Sequence, residues 1–484
     1  MEEKITPVEE TTVQTNPKYT GFAGKLDKYW KITESGSTIK KEIVGGATTF
    51  MTMCYILMVN ADMFTAFVPY GAMYITTALA AIVGTCLMAF MAKLPFAQAP
   101  GMGLNAFFCF TVCLGPYGYT YPQALVIILF SGILFTALTF GGVRQKIVRA
   151  IPKCVRLAIP AGIGLFIAFV GMQNVKLITA DGSTLVRLAP LKIGTASFTF
   201  IWPILVCLLT FFFIAALSKK GVKGSMIWGI LAGTVVYYVI GVCVPSMRAV
   251  IKASVSWQSP FTAFKEFGTE SVGKVFSEGF NGLFTNFSSI INFIALFISF
   301  ALVDMFDTLG TLLGTCQRCN MLDENGEVPN MNKALLCDSI ATMAGAVLGT
   351  STVTTFVESS AGVSAGGRTG MTAAVIAALF FVAMFLSPVA QLIPSAATAA
   401  ALIYVGVLMM HSVKAIDWED AAEAVPAFLT IVMMPLSYSI STGIAFGFIS
   451  YVFIRLFTGK IKEIHPISAV LTVLFLANFF LVSH

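Results

Sequence analysis

A chain of 484 residues that is 57% hydrophobic and only 11% charged falls far below the roughly 25% charged residues of an ordinary soluble domain. Its net charge of +6 comes from short polar stretches between long apolar runs, which excludes a nucleic-acid-binding face and points to orientation in a lipid bilayer. The runs are of helix-spanning length, which excludes a transmembrane β-barrel with its alternating segments of about ten residues.

Residues 1–41 are polar and mix lysines with glutamates. The first apolar run begins near Ile43, too late for a cleavable signal, so 1–41 reads as a solvated cytoplasmic arm. Seven apolar segments follow, at 43–60, 71–92, 96–112, 122–141, 158–175, 197–217 and 224–244. A polar stretch over about 245–285 separates them from a second set at 287–314, 333–349, 352–366, 370–390, 397–412, 424–437, 439–457 and 466–482. The last of these either crosses the bilayer or lies at its surface. The basic loops "GGVRQKIVRAIPKCVR" (141–156), "SKKGVK" (218–223) and "RLFTGKIK" (455–462) fall on the side of the N-terminus. The positive-inside rule makes that side the cytoplasm.

The third segment of each set is broken. The first reads "PFAQAPGMGLNAFFCF" (95–110) and the second "GTSTVTTFVESSAGVSAGG" (349–367). Within the second, "TVTTF" (352–356) is β-branched and suits a short strand. With 466–482 set aside as an extra segment, each set has seven spans, an odd number, so the sets would lie in opposite orientations. Inverted repeats with paired half-helices are the architecture of secondary transporters. One offset, 358 − 105 = 253, aligns Asn105 with Glu358. It also places Asp304 and Asp307 opposite Met51 and Cys54 of the first span.

Two short motifs carry no chemistry here. "CQRC" (Cys316 to Cys319) is a single CxxC, and His411, His465 and His484 are distant in sequence, so zinc and redox readings lack their other ligands. "GMGLNA" (101–106) imitates a dinucleotide fingerprint without the βαβ unit that such a motif needs.

The carboxylates are the informative residues. An ionised Asp at a bilayer centre costs roughly 2.5–3.5 kcal/mol on insertion scales. Asp304 and Asp307 lie in "ISFALVDMFDTLGTLLG" (298–314), and Glu358 lies in the broken tenth segment. Residues three apart share a helix face, so both aspartates are expected to face the protein interior with Thr308 and Thr311. Asp338, near a span end, is expected to reach the interface.

At these residues the chain resembles a known family. "ALVDMFDTLGTLLG", "GTSTVTTFVESSAGVSAGGRTGMTA" and "APGMGLNAFF" are similar to the signatures of AzgA-like purine permeases, a branch of the nucleobase–cation symporters within the nucleobase–ascorbate transporter superfamily. The resemblance runs from about residue 20 to 460. It implies an all-α polytopic membrane protein of fourteen transmembrane segments, arranged as seven-plus-seven inverted repeats. After the arm at 1–41, a core domain would take 42–141 and 287–392. A gate domain would take 142–245 and 393–484, and an extracytoplasmic connection 246–286. Short antiparallel strands in segments three and ten would meet at the substrate. The resemblance makes Glu358 the span-ten binding carboxylate, Asn105 the span-three contact, and Asp304 with Asp307 the span-eight acidic site. Thr308 and Ser359 complete the expected substrate-binding set. Asp304, Asp307 and Glu358 are the expected proton-coupling residues. Where the uracil branch has a titratable partner four residues after its acid, this chain has Thr311.

The chemistry agrees with that resemblance. A purine base is a flat heterocycle with several N–H donors. A carboxylate accepts two donors side by side in strong charge-assisted bonds, and an Asn offers both a donor and an acceptor. A carboxyl withdrawn from water holds its proton to higher pH, so one acid can bind the base while another carries H⁺. Carboxylates beside broken helices also suit Na⁺. The expected protein is therefore a multi-pass inner-membrane symporter for adenine, guanine or hypoxanthine, moving core against gate. It is expected to be no enzyme, to need no cofactor or metal, and to have a gate able to support a homodimer. The alternatives are another solute on the same architecture, uracil- or xanthine-like, or an anion of the sulfate kind. Acids beside the half-helices disfavour an anion. An intramembrane enzyme would need a His or Cys cluster within a span.

Overall fold

No water reaches the middle of a bilayer, so every backbone N–H and C=O there must be bonded within the protein. Helices meet that condition over most of this chain. The computed structural model describes residues 19–115, 117–140, 151–191, 197–254, 259–285, 287–318, 321–322 and 328–481. Residues 1–18 of the arm, 141–150 of the first basic loop, Cys319, residues 323–327 and His484 lie outside them.

In chain order, α1 (Gly21–Trp30) precedes a first span broken into α2 (Ile39–Met53) and α3 (Ile56–Met63). Then come α4 (Tyr70–Leu87), strand β1 (Gln98–Pro100), α5 (Met102–Ala106) and α6 (Tyr121–Phe140). Next are α7 (Lys153–Asn174), the hairpin β2 (Ile178–Asp181) and β3 (Leu185–Leu188), α8 (Phe198–Lys219) and α9 (Ser225–Cys243). The polar connection forms α10 (Pro245–Ser254) and α11 (Pro260–Glu270). The second half holds α12 (Phe287–Arg318), α13 (Met331–Leu348), β4 (Val353–Thr355), α14 (Ser359–Ser364), α15 (Gly370–Ala383), α16 (Ser395–Met409), α17 (Ala421–Leu436), α18 (Ile440–Phe457) and α19 (Pro466–Leu481). Among the described residues, ten helices are long and apolar enough to cross a membrane.

Local sequence explains several boundaries. Thr38, Thr369, Asp420 and Ser439 each accept a backbone N–H in the first turn of the following helix, which is the work of an N-cap. Gly349 ends α13 at φ 103, a conformation that favours glycine. At 32 residues, α12 is roughly 48 Å long, which exceeds a hydrocarbon core of about 30 Å. The helices pack in two sets. In one, α15 lies against α2 and α4, and α13 against α4 and α6. In the other, α7 lies against α16 and α17, α17 against α18, and α8 against α9 and α16. Small residues allow close approach, as expected between helices in lipid. A Cβ on Gly164 would stand 2.8 Å from the carbonyl oxygen of Gly406.

The reading of the N-terminal arm is corrected. The stretch after residue 18 is not a free solvated arm. Trp30 is buried and donates its indole N–H to Ala89 O (2.9 Å), while Lys93 Nζ donates to Tyr29 O (3.0 Å), so α1 is docked on the end of the second span. The polar connection after α9 packs on the first set of helices. Ala263 of α11 lies against Gly71 of α4, and Gly273 N donates to Val347 O (2.9 Å). The hairpin at 178–188 had no counterpart in the sequence reading. It closes on Asp181, whose carboxyl is held below its usual range by the N–H groups of Ser183 and Thr184, aided by Arg187.

Candidate substrate and proton site

The two broken segments meet. β1 and β4 pair antiparallel with Gln98 opposite Thr355, Ala99 opposite Thr354 and Pro100 opposite Val353. Three-residue strands have no stability of their own, and their outer edges need partners. Hydroxyls from the surrounding helices supply them. Thr85 Oγ1 takes Gln98 N and donates to Gln98 O, both at 3.0 Å. Thr342 Oγ1 takes Val353 N (3.2 Å) and shares its single proton between Val353 O (3.3 Å) and a carboxylate. Thr308 Oγ1 takes Thr355 N (3.3 Å), and Ser359 Oγ takes Ala97 N (3.0 Å). Neighbouring Ser and Thr side chains are the usual means of satisfying irregular backbone inside a membrane.

Side chains alternate along a strand, and directly opposed residues share a face. That gives the strand pair two different sides. On one, Gln98 Nε2 donates to Thr355 Oγ1 (3.3 Å) and to Asp338 Oδ1 (3.1 Å), and Thr308 Oγ1 donates to the same Asp338 oxygen (2.7 Å). Thr342 Oγ1 donates to Asp304 Oδ2 (3.0 Å). Asp304 and Thr308 of α12 thus cross-link to Thr342 and Asp338 of α13, and all four are fully buried. On the other side, Thr354 Oγ1 donates to Asp307 Oδ2 (3.3 Å). Glu358 follows the strand, and its Oε1 accepts the hydroxyl of Tyr55 (2.8 Å) at the break between α2 and α3. Asp307 and Glu358 are half-buried and close enough to act on each other electrostatically.

The six sequence candidates therefore separate. Asp307 and Glu358 come together. Asp304 faces the interior as expected but on the closed side, away from Asp307. Thr308 and Ser359 are fully buried and bonded to strand backbone. Asn105 is fully buried and donates to Asn60 Oδ1 (2.7 Å), while Ser351 Oγ donates to its Oδ1. Gly101 N bonds Thr352 O, whereas Phe356 N bonds Ala97 O, so α5 and α14 leave opposite ends of the strand pair and Asn105 lies at the end away from Glu358. Asp338 does not reach the interface. It sits mid-way along α13 and is fully buried, because Gln98 and Thr308 supply donors there.

Sequence reasoning did not single out Tyr55 or Thr354. A Tyr hydroxyl in an apolar span needs a partner, which is a signal for Tyr55. Strand alternation across "TVTTF" is the signal for Thr354. A cavity of about 620 Å³ lies elsewhere, lined by residues that include Lys153, Arg156, Glu423 and Lys462. Glu423 there pairs with Arg455 (2.9 Å). That cavity shares nothing with the strand pair and is not the candidate site.

The geometry can be set beside known proteins. A model of the permease family, Xan_ur_permease, matches residues 40–446. The chain belongs to this permease family. Permeases of similar sequence include "Adenine permease AdeP" of Escherichia coli (strain K12), 37% identical over 458 residues that cover 94% of this chain and 96% of that protein. "Guanine/hypoxanthine permease PbuG" of Bacillus subtilis (strain 168) is 39% identical over 464 residues, covering 94% of this chain and 99% of that one. The expected kinship with purine permeases of the nucleobase–ascorbate transporter superfamily is thereby upheld. This permease is multi-pass, with no catalytic role indicated. Among solved structures, the transmembrane domain of a cyanobacterium bicarbonate transporter, BicA, aligns with a TM-score of 0.58 at 15% identity, over 83% of this chain and 97% of that one. The likeness is one of fold.

Proposed function

We propose that this permease imports purine nucleobases by proton symport, with Glu358 binding the base and Asp307 carrying the proton. The observation that carries the reading is that Asp307 and Glu358 stay half-buried beside the strand pair, held by hydroxyls of Thr354 and Tyr55, while the other candidate polar side chains are closed into the packing. A purine presents N–H donors along one edge, and a carboxylate in a water-poor site is their strongest acceptor. Adenine, guanine and hypoxanthine are the candidate substrates, in line with the names of AdeP and PbuG.

The architecture of this reading is fourteen spans in two inverted repeats. The shorter helices Met102–Cys113 and Ala421–Leu436, together with α13 and the broken β4–α14 segment, bring the ten long helices to fourteen; α19 stands outside that count. The repeat is supported by equivalent bonds. Thr85 holds Gln98 as Thr342 holds Val353, at offsets of 342 − 85 = 257 and 353 − 98 = 255. The helix set containing α2, α4, α6, α13 and α15 would be the core, and the set containing α7 to α9 and α16 to α18 the gate. Core would move against gate in the inner cell membrane with the N-terminus cytoplasmic, and the gate surface would support a homodimer.

Uptake of radiolabelled adenine, guanine, hypoxanthine and uracil into bacterial cells lacking their own nucleobase permeases tests the proposal. The expected result is accumulation of at least one base, competed by unlabelled purine and not by sulfate or bicarbonate. Uptake of uracil alone, or of no base, contradicts it.

A further inference from the structure

Glu42 stands in the first turn of α2 and is fully buried. Its Oε1 accepts from Arg368 N (3.0 Å). Its Oε2 accepts from Thr369 N (3.2 Å), Thr372 N (3.2 Å) and Thr372 Oγ1 (2.6 Å). These donors belong to the turn before α15 and to its first residues. The leading N–H groups of a helix have no partner within it, and negative charge is favoured there. A carboxylate from the first span thus caps a helix more than 300 residues away in sequence.

The capped turn is also the far end of the short helix that follows Glu358. α14 has six residues, about 9 Å of helix, too few to be stable alone. Contacts at its ends therefore fix its position. At its far end Ser37 Oγ donates to Gly366 O (2.8 Å). Gly45 approaches so closely that a Cβ there would stand 2.9 Å from Gly362 O. At its near end Tyr55, on the same span as Glu42, holds Glu358 itself.

We infer that Glu42 is a positioning residue for Glu358: by anchoring the trailing turn of α14, it sets where the binding carboxylate stands relative to Asp307. The inference rests on the reading of Glu358 given above. Glu42→Gln keeps the size but turns an amide donor toward donors. Thr372→Val keeps the shape and removes only the hydroxyl at 2.6 Å from Glu42. Asp420→Ala removes a cap from α17, a helix remote from α14, and serves as the control for general destabilisation.

The test is calorimetry of adenine, guanine and hypoxanthine binding to the purified full-length protein. Glu42→Gln is expected to weaken binding about tenfold or more, and Thr372→Val roughly threefold or more, with Asp420→Ala at the wild-type Kd. Wild-type affinity in both of the first two variants overturns the inference. So does an equal loss in Asp420→Ala. Should Glu42→Gln not fold, Thr372→Val decides by the same criteria. Absence of purine binding by the wild type would be a failure of the functional reading instead. Amide hydrogen exchange then decides the positioning role: faster exchange at 357–360 in Glu42→Gln or Thr372→Val upholds it, and unchanged exchange overturns it.

Discussion

Glu358→Gln is expected to weaken purine binding about 5- to 150-fold while leaving a folded, monodisperse protein. The carboxylate uses Oε1 to accept the Tyr55 hydroxyl and retains acceptor capacity for a purine N–H. The substitution replaces one acceptor oxygen with a donor amide. A buried donor set against a donor costs roughly 1–3 kcal/mol, which is the stated range of affinity. Calorimetry on purified protein reads it directly. A Glu358 that carried the proton instead would give a different pattern. Glu358→Gln would then bind purine normally and exchange bound for external base, yet fail to accumulate it. Unchanged affinity together with unchanged accumulation would mean that the substrate lies elsewhere.

The parts of this site that were legible in the sequence are those that break a pattern. Asp304, Asp307 and Glu358 stand out because charge is costly in an apolar run. The strand at Val353–Thr355 stands out because "TVTTF" is β-branched where helix is expected. The division of labour among these residues was not legible, because it depends on which face of the strand pair each one meets. A three-residue spacing on α12 puts Asp304 and Asp307 on one side of a helix, yet the strand pair lies across that side and separates them. Thr308 and Ser359 look like ligand contacts in sequence, but the strand edges needed their hydroxyls. Asp338 looked peripheral because its distance from a span end was counted along the chain. Its partners, Gln98 and Thr308, come from other segments. Glu42, beside two lysines in "IKKEI", was not singled out, because its donors come from α15, more than 300 residues on.

Asp307→Asn and Asp304→Asn are expected to fail in different ways. Asp307 is half-buried and held by a single hydroxyl of the strand pair, from Thr354. Asparagine there takes up no proton, so concentrative uptake should be abolished while the protein reaches the membrane and still binds purine. Asp304 is fully buried and bonded to Thr342, the residue that holds the edge of β4. Asparagine at that position adds amide donors to a closed network, at a cost of about 1–3 kcal/mol for each one left unsatisfied. A lower thermal midpoint and reduced membrane yield are expected, with purine affinity in the surviving protein close to wild type. Midpoints from thermal unfolding in detergent and calorimetric Kd values separate the two outcomes. A stable Asp304→Asn protein that binds but cannot accumulate purine would place the proton on the closed side of the strands.

In the proposed cycle a proton gradient drives purine past Asp307 and Glu358. Uptake of labelled adenine, guanine and hypoxanthine by proteoliposomes holding the purified wild-type protein, under an imposed pH gradient, acid outside, without sodium, reads this coupling. Transient accumulation of at least one base above its external concentration is expected, lost on adding a protonophore and absent with Asp307→Asn. Accumulation that requires a sodium gradient, or that persists undiminished with Asp307→Asn, would contradict it.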